Sequence, residues 1–286
     1  MLPASEQPPA RTGPLLDLAF QDVPPRVQEQ VGRYLEFARL LGQRTGELHL
    51  ALATPTDVPA FAPEGFSTLY RRSLYQSMRN LSRRCFERLR EAVVDLPETI
   101  RGEAGRLLAY EDDLLHRFGM IVGFKTRARR IRIHGHLSLP QVLYTGKDFA
   151  FINFEGDPVR SINERRAKRC PLRDVISMLR SFYTVAASAL LDDGNAPGFV
   201  RAEDRAALAP WVKTWFSAVA AVYLKAYLGV TAAADFYPSA FDELKLLFEL
   251  FYLEEVVAEL DHAIRFDSGP VSVPLESLLD QLVPPA

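Results

Sequence analysis

Apolar residues fall at helical spacing through most of this chain, and they give way to short β-branched and aromatic runs in one stretch, residues 130 to 154. That contrast restricts the fold to a helical body carrying very little sheet. After the Pro24-Pro25 start signal, Val27, Val31, Tyr34, Leu35, Ala38, Leu41, Thr45, Leu48 and Leu52 trace one long amphipathic helix. Pro55, Pro59 and Pro63 end it, and Tyr70, Leu74, Met78, Leu81, Cys85, Leu89 and Ala92 form a second stripe. A third follows Pro97, with Ile100, Ala104, Leu107, Leu108, Leu114, Leu115, Phe118 and Val122 on its apolar face. Between Ile131-Arg132-Ile133 and Phe149-Ala150-Phe151-Ile152, the run Thr145-Gly146-Lys147-Asp148 reads as a hairpin turn. Pro171 then opens a helix to about Leu191, the DDGNAPG stretch breaks it, and helices follow over about Glu203 to Leu228 and Phe241 to Ile264. Pro3, Pro8, Pro9 and Pro14 in residues 1–19 predict a flexible leader, with a single domain from 20 to 286.

Charge narrows the choice of partners. Thirty-four basic and 36 acidic residues leave a formal charge of -2, so no global positive field exists to hold nucleic acid. Neither a signal peptide nor a stretch apolar enough to span a bilayer is read, and the expectation is a cytoplasmic protein without a membrane partner. Cys85 and Cys170 lack the spacing of a zinc site and the density of a disulfide scaffold, so both are expected to be reduced thiols.

Chemistry belongs where the hairpin meets its loops. His134 to Leu143 read HGHLSLPQVL, and NFEGDP follows at Asn153 to Pro158. This pair resembles the catalytic and metal-binding segments of maltokinases, which share the fold of aminoglycoside phosphotransferases and, more distantly, protein kinases. RTGELHLALA from Arg44, FAPEGFSTLYRRSLYQSMRN from Phe61, VLYTGKDFAFINFEG from Val142, ERRAKRCPLRDVISMLRSF from Glu164 and WVKTWFSAVAAVYLKAYL from Trp211 look like maltokinase sequence in the same order. The likeness covers most of residues 20 to 265. It implies a mainly α (α+β) fold, the C-terminal lobe of a protein-kinase-like, aminoglycoside-phosphotransferase-like protein with one small β-hairpin. The reaction it implies is ATP-dependent phosphorylation of maltose to maltose 1-phosphate, on the route from trehalose to α-glucan, with magnesium as cofactor.

The departures from that pattern matter as much. Maltokinases have HGD where this chain has His134-Gly135-His136, so His136 stands at the position of the catalytic aspartate. They have DFEG where this chain has Asn153-Phe154-Glu155-Gly156, so Asn153 replaces a magnesium carboxylate; Gln141, at the position of the other metal ligand, is retained. Glu155 would share a strand face with Asn153 and offer partial compensation. A nucleotide-gripping lobe would precede this region in the family, but family-like sequence begins near Asp17 and contains neither GxGxxG nor GxxxxGK[ST]. The expectation is therefore a degenerate relative with no or weak binding of ATP and magnesium, acting as a sugar-binding or interaction protein. The alternative is half of a split enzyme working with a separate nucleotide-binding lobe. Maltose or a related α-glucoside is the expected ligand, and a protein partner or second copy would cover the face around Leu137, Leu139, Pro140 and Val142.

Other features have simpler readings beside the functional ones. His134 and His136 as alternate strand residues could bind a metal, but no third ligand has matching spacing. Tyr223 and Tyr227 are core residues by default, with sugar stacking as the minority reading. Arg173 and Asp174 read as an ion pair or helix cap. The basic runs Arg127 to Arg132 and Arg165 to Arg169 suggest phosphate or RNA contacts, against the plainer reading of a solvated face.

Overall fold

The computed structural model describes residues 8, 13–158, 160–190, 200–238, 240–266 and 270–283. Most of the expected leader and the DDGNAPG break lie outside the described residues. The chain forms two compact units, Met1–Gly65 with Ala128–Tyr237, and Phe66–Arg127 with Pro238–Ala286.

In the first unit, α1 (Leu15–Leu18) and α2 (Pro25–Val31) lead into α3 (Arg33–Leu52). Where one continuous helix was expected, Gly32 adopts φ 56° and separates α2 from α3. Glycine takes that left-handed geometry without a Cβ penalty, and no loop intervenes, so the apolar stripe runs on through the break. Two helices follow later in the unit, α8 (Leu172–Ser188) and α9 (Arg205–Thr231), with the short α7 (Ile162–Arg166) before them. Helix α3 packs chiefly on α9, and α9 also receives α8 and α1. The α3–α9 approach is close because Gly42 and Gly46 face α9: a Cβ on Gly42 would collide with the Tyr223 carbonyl oxygen, and one on Gly46 would sit 2.9 Å from Val230 Cγ1. Contrary to the sequence expectation, α9 is long and apolar enough to cross a membrane by length and composition. Its apolar surface instead forms the centre of this unit, burying Trp211, Phe216, Val219, Tyr223, Leu224 and Tyr227.

Sheet is sparse but not confined to one hairpin. A hairpin forms at the expected turn, but its first strand is β3 (Val142–Tyr144) rather than Ile131–Ile133; β3 pairs with β4 (Phe149–Phe151), and in the turn Thr145 N–H donates to the Asp148 carbonyl at 2.8 Å. Arg44 of α3 grips that turn through two bonds to the Asp148 carboxylate, at 2.8 and 3.0 Å, and holds the Asp148 carboxyl below its usual range. A second ladder, unforeseen, pairs β1 (Glu64–Gly65) with β2 (Arg129–Arg130). Ile131, expected inside a strand, makes one isolated bridge to Arg169.

The second unit contains α4 (Thr68–Ala92), α5 (Glu98–Leu108), α6 (Glu111–Gly123), α10 (Phe241–Phe266) and α11 (Ser272–Leu282). Helix α4 begins where the Ser67 hydroxyl accepts the Tyr70 N–H at 3.1 Å, and it buries Leu74, Met78, Cys85 and Leu89 of the expected stripe. The third stripe is two helices rather than one. Ala109 and Tyr110 part them, and Glu111, Asp112 and Asp113 start α6 with three carboxylates at the positive end of its dipole. Cys85 here and Cys170 in the first unit are free and buried, and burial pushes both thiols up to about 12.

Candidate active site

The segment from His134 to Asn153 is built around one buried carboxylate. Asp174, 1% exposed on the first turn of α8, accepts the His134 backbone N–H on Oδ2 at 2.7 Å and the Gly135 N–H on Oδ1 at 2.8 Å. Gly135 takes φ 80°, which lets two successive amides converge on the same side chain. His49 of α3, fully buried, brings Nε2 to 3.2 Å from Asp174 Oδ2, and its Nδ1 lies 2.8 Å from the Tyr227 hydroxyl. With the His49 proton on Nε2, Nδ1 accepts from Tyr227, whose oxygen in turn meets the Tyr237 hydroxyl. Burial holds the Tyr237 phenol well above its ordinary range, keeping it a donor at the end of this chain.

Asp174, expected to serve structure as an ion-pair partner or helix cap, does serve structure, but at longer range: it fastens a loop 40 residues upstream and meets His49. An aspartate just inside a helix after Pro171 was visible in the sequence, but its partners are backbone amides that spacing does not reveal.

His134 ties the loop to the hairpin. Its Nε2 donates to the Ile152 carbonyl at 2.7 Å, leaving Nδ1 to accept the His136 N–H at 3.3 Å. Both ring nitrogens are thus engaged, which removes the reading of His134 and His136 as paired metal ligands. Among the described residues no group of three or more His, Cys, Asp or Glu side chains could hold a metal ion. The His136 side chain points into solvent, while Leu137 beside it is fully buried and Leu139 N–H donates to Ser181 Oγ at 3.0 Å. Burial of Leu137 corrects the expectation that it belongs to an exposed apolar face. Leu143, Tyr144 and Phe154, each about half exposed, are the large apolar side chains that the hairpin and its following turn present.

Gln141 and Asn153 lie side by side. The Gln141 carbonyl accepts from Ile152 N–H at 3.0 Å, and Asn153 Nδ2 donates to Gln141 Oε1 at 2.5 Å. Asn153 adopts φ 62°, a left-handed geometry that asparagine tolerates better than most residues. That bend ends the extended run, so Glu155 lies in a turn and does not share a strand face with Asn153 as expected. Arg165 of α7 donates to the Glu155 carbonyl at 3.4 Å, and its side-chain carbons pack beside Gly156. Tyr223 and Tyr227 are fully buried, the former donating to Thr45 Oγ1 at 3.2 Å and the latter bonded to His49, so both occupy the core. An apolar cleft of about 210 Å³ adjoins the hairpin, lined by Tyr34, Phe37, Leu139, Val142, Tyr144 and Phe149.

The fold matches solved structures of glucosamine kinase. Crystal form B of that enzyme aligns with 94% of this chain and 57% of its own, with a TM-score of 0.67 and 24% identity. The complex with glucosamine, ADP and inorganic phosphate aligns equally well, with 56% of its chain covered. In sequence, a glucosamine kinase of Streptacidiphilus jiangxiensis is 29% identical over 251 residues, 86% of this chain and 49% of that protein. The chain therefore spans about half the length of the relatives it matches. No protein-family model matches it. These relatives are sugar kinases of the phosphotransferase class.

Proposed function

We propose that this chain is a sugar-recognising kinase lobe whose own residues do not support rapid phosphoryl transfer. The observation that carries this reading is the bond from Asn153 Nδ2 to Gln141 Oε1. Magnesium favours carboxylate oxygens and near-octahedral order. Here the two positions that resemble metal ligands are neutral amides, and one amide oxygen is already taken by the other side chain. These residues do not fit magnesium. His136, at the position resembling the catalytic base, is an exposed imidazole in place of a carboxylate. Such a ring can accept a proton when neutral, but general-base assistance contributes only about 10²–10⁴ in rate, and positioning of the phosphoryl group supplies the rest.

The motif likeness favours a maltose-type α-glucoside as ligand, and the relatives favour glucosamine. A cytoplasmic setting goes with either. Calorimetry of the purified chain with each sugar, beside an assay of sugar-dependent ADP release, tests the reading. Binding of one sugar without turnover is expected. Turnover at about 1 s⁻¹ or faster, the ordinary range of kinases, overturns impairment; heat from neither sugar overturns recognition.

The half-length match favours a second reading, in which these residues work with a nucleotide-binding part that lies outside them. Supplying the unmatched half of the glucosamine kinase relative as a separate polypeptide would then produce sugar-dependent ADP release, and its failure to do so counts against this version. In both readings a partner or a second copy covers Leu143, Tyr144 and Phe154.

A further inference from the structure

The two basic runs of the sequence, Arg127 to Arg132 and Arg165 to Arg169, meet in the fold. The Ile131–Arg169 bridge aligns them, with N–H to O distances of 3.0 and 2.9 Å in the two directions. Together with the loop before β1 they enclose a cleft of about 510 Å³, within the range of small-molecule sites. Phe61, Glu64, Arg130, Arg132, Arg166 and Lys168 line it.

Charge in this cleft is unbalanced. Glu64 is the one acid among its described lining residues, against four cations, and it is shared: Lys168 Nζ bonds Oε1 at 2.5 Å and Arg130 bonds Oε2 at 2.5 Å. Lys168, only 8% exposed, also donates to the Pro59 carbonyl at 2.6 Å, which fixes the cleft wall. Arg132 donates to the Arg166 backbone carbonyl and lies over the Phe61 ring, its Cζ 5.8 Å from the centroid. Neither Arg132 nor Arg166 has a carboxylate partner among the described residues. A solvated basic face would spread its charges outward over a convex surface. Here they converge on a concavity with an aromatic ring that is 48% exposed.

We infer that this cleft binds a small organic phosphate, its phosphoryl group taken by Arg132 and Arg166 and its organic part resting on Phe61. Guanidinium forks match phosphate oxygens bidentately, and a guanidinium stacked on an aromatic face, as Arg132 is on Phe61, keeps its edge free for such a fork. None of the lining residues belongs to the His134–Asn153 segment, so the site is separate from the one proposed to recognise sugar.

Calorimetry with glucose 6-phosphate, inorganic phosphate and glucose tests this on the purified chain. Glucose 6-phosphate should bind with a Kd below about 1 mM, at least tenfold tighter than inorganic phosphate, and glucose should not compete. The Arg132→Gln/Arg166→Gln variant should lose at least tenfold in affinity with an unchanged melting temperature. Should that variant fold poorly, Arg132→Lys/Arg166→Lys, which keeps the charge and removes the forks, should still weaken binding. Excess maltose or glucosamine should leave the glucose 6-phosphate affinity unaltered, whether or not either sugar binds elsewhere. Displacement by those sugars, undiminished binding in both arginine variants, or no heat at about 10 mM glucose 6-phosphate overturns the inference.

Discussion

Asp174 and His49 meet in the protein interior, Oδ2 to Nε2 at 3.2 Å, with both side chains at most 1% exposed. Because the same carboxylate also accepts two loop amides, one side chain carries the contact between α3, α8 and the His134 loop. Asp174→Ala would leave two amides and an imidazole without their acceptor. A loss of about 3–5 kcal/mol in stability is expected, the cost of removing one partner from a buried charged cluster. Urea unfolding measures it, and a change within experimental error would contradict the assigned role.

Asn153→Asp should create a divalent-cation site where the native amide pair does not suit one. Aspartate tolerates the φ of 62° and would place a carboxylate beside Gln141 Oε1. Manganese titration followed by electron paramagnetic resonance should show at least tenfold tighter binding than in the native chain. Equal affinity in the two proteins would mean that charge at residue 153 does not govern metal binding.

Glu64 gives the fold an acid-sensitive contact. Its carboxyl titrates below the ordinary 4.5, chiefly because Lys168 donates to it, with Arg130 adding charge. A lowered carboxylate pKa stabilises the fold fully above the unfolded value and loses that contribution as pH falls through the folded value. The melting temperature of Glu64→Gln should therefore lie below that of the native chain at neutral pH, with the gap closing in acid below about pH 4. Glu64 is half exposed, so the gap should be small and should shrink with salt. A gap that widens in acid would reverse the sign of this argument.

Gly42→Ala should destabilise the first unit although alanine favours helix, because the added Cβ meets the Tyr223 carbonyl. About 1–3 kcal/mol is expected for such overpacking. Gly105→Ala, on α5 with nothing within 4 Å of the added Cβ, is the control and should be neutral or stabilising. Similar losses at both positions, measured by thermal unfolding, would refute the close α3–α9 approach.

Association through the hairpin should be visible by light scattering. Leu143 is 53% exposed, so replacing it with lysine should shift any oligomer towards monomer without lowering the melting temperature. A native chain that stays monomeric at high concentration and binds no hydrophobic dye would remove the need for a covering partner.

The parts of the fold legible in the sequence are those set by local periodicity. The stripe from Leu74 to Leu89 appears as the buried face of α4, and Thr145 to Asp148 appears as the turn between β3 and β4. What was hidden depends on contacts distant in sequence or on single backbone angles. Gly32 breaks a helix without disturbing its apolar spacing. The β1–β2 ladder joins two-residue strands more than 60 residues apart, too short for alternation to register. The site divides along the same line. Gln141 and Asn153 were paired by motif and are bonded in space, whereas Asp174 serves amides that no spacing rule connects to it. Tyr223 and Tyr227 followed the default for aromatic stripes and lie in the core.

The amides of His134 and Gly135 are locked to a helix rather than to another loop. Exchange with solvent deuterium at these two positions requires the first turn of α8 to release Asp174, so their rates should track the slowest opening of the helical core, unlike those of ordinary loop amides. Two backbone hydrogens in the most functionally suggestive loop thereby become a clock for the scaffold beneath it.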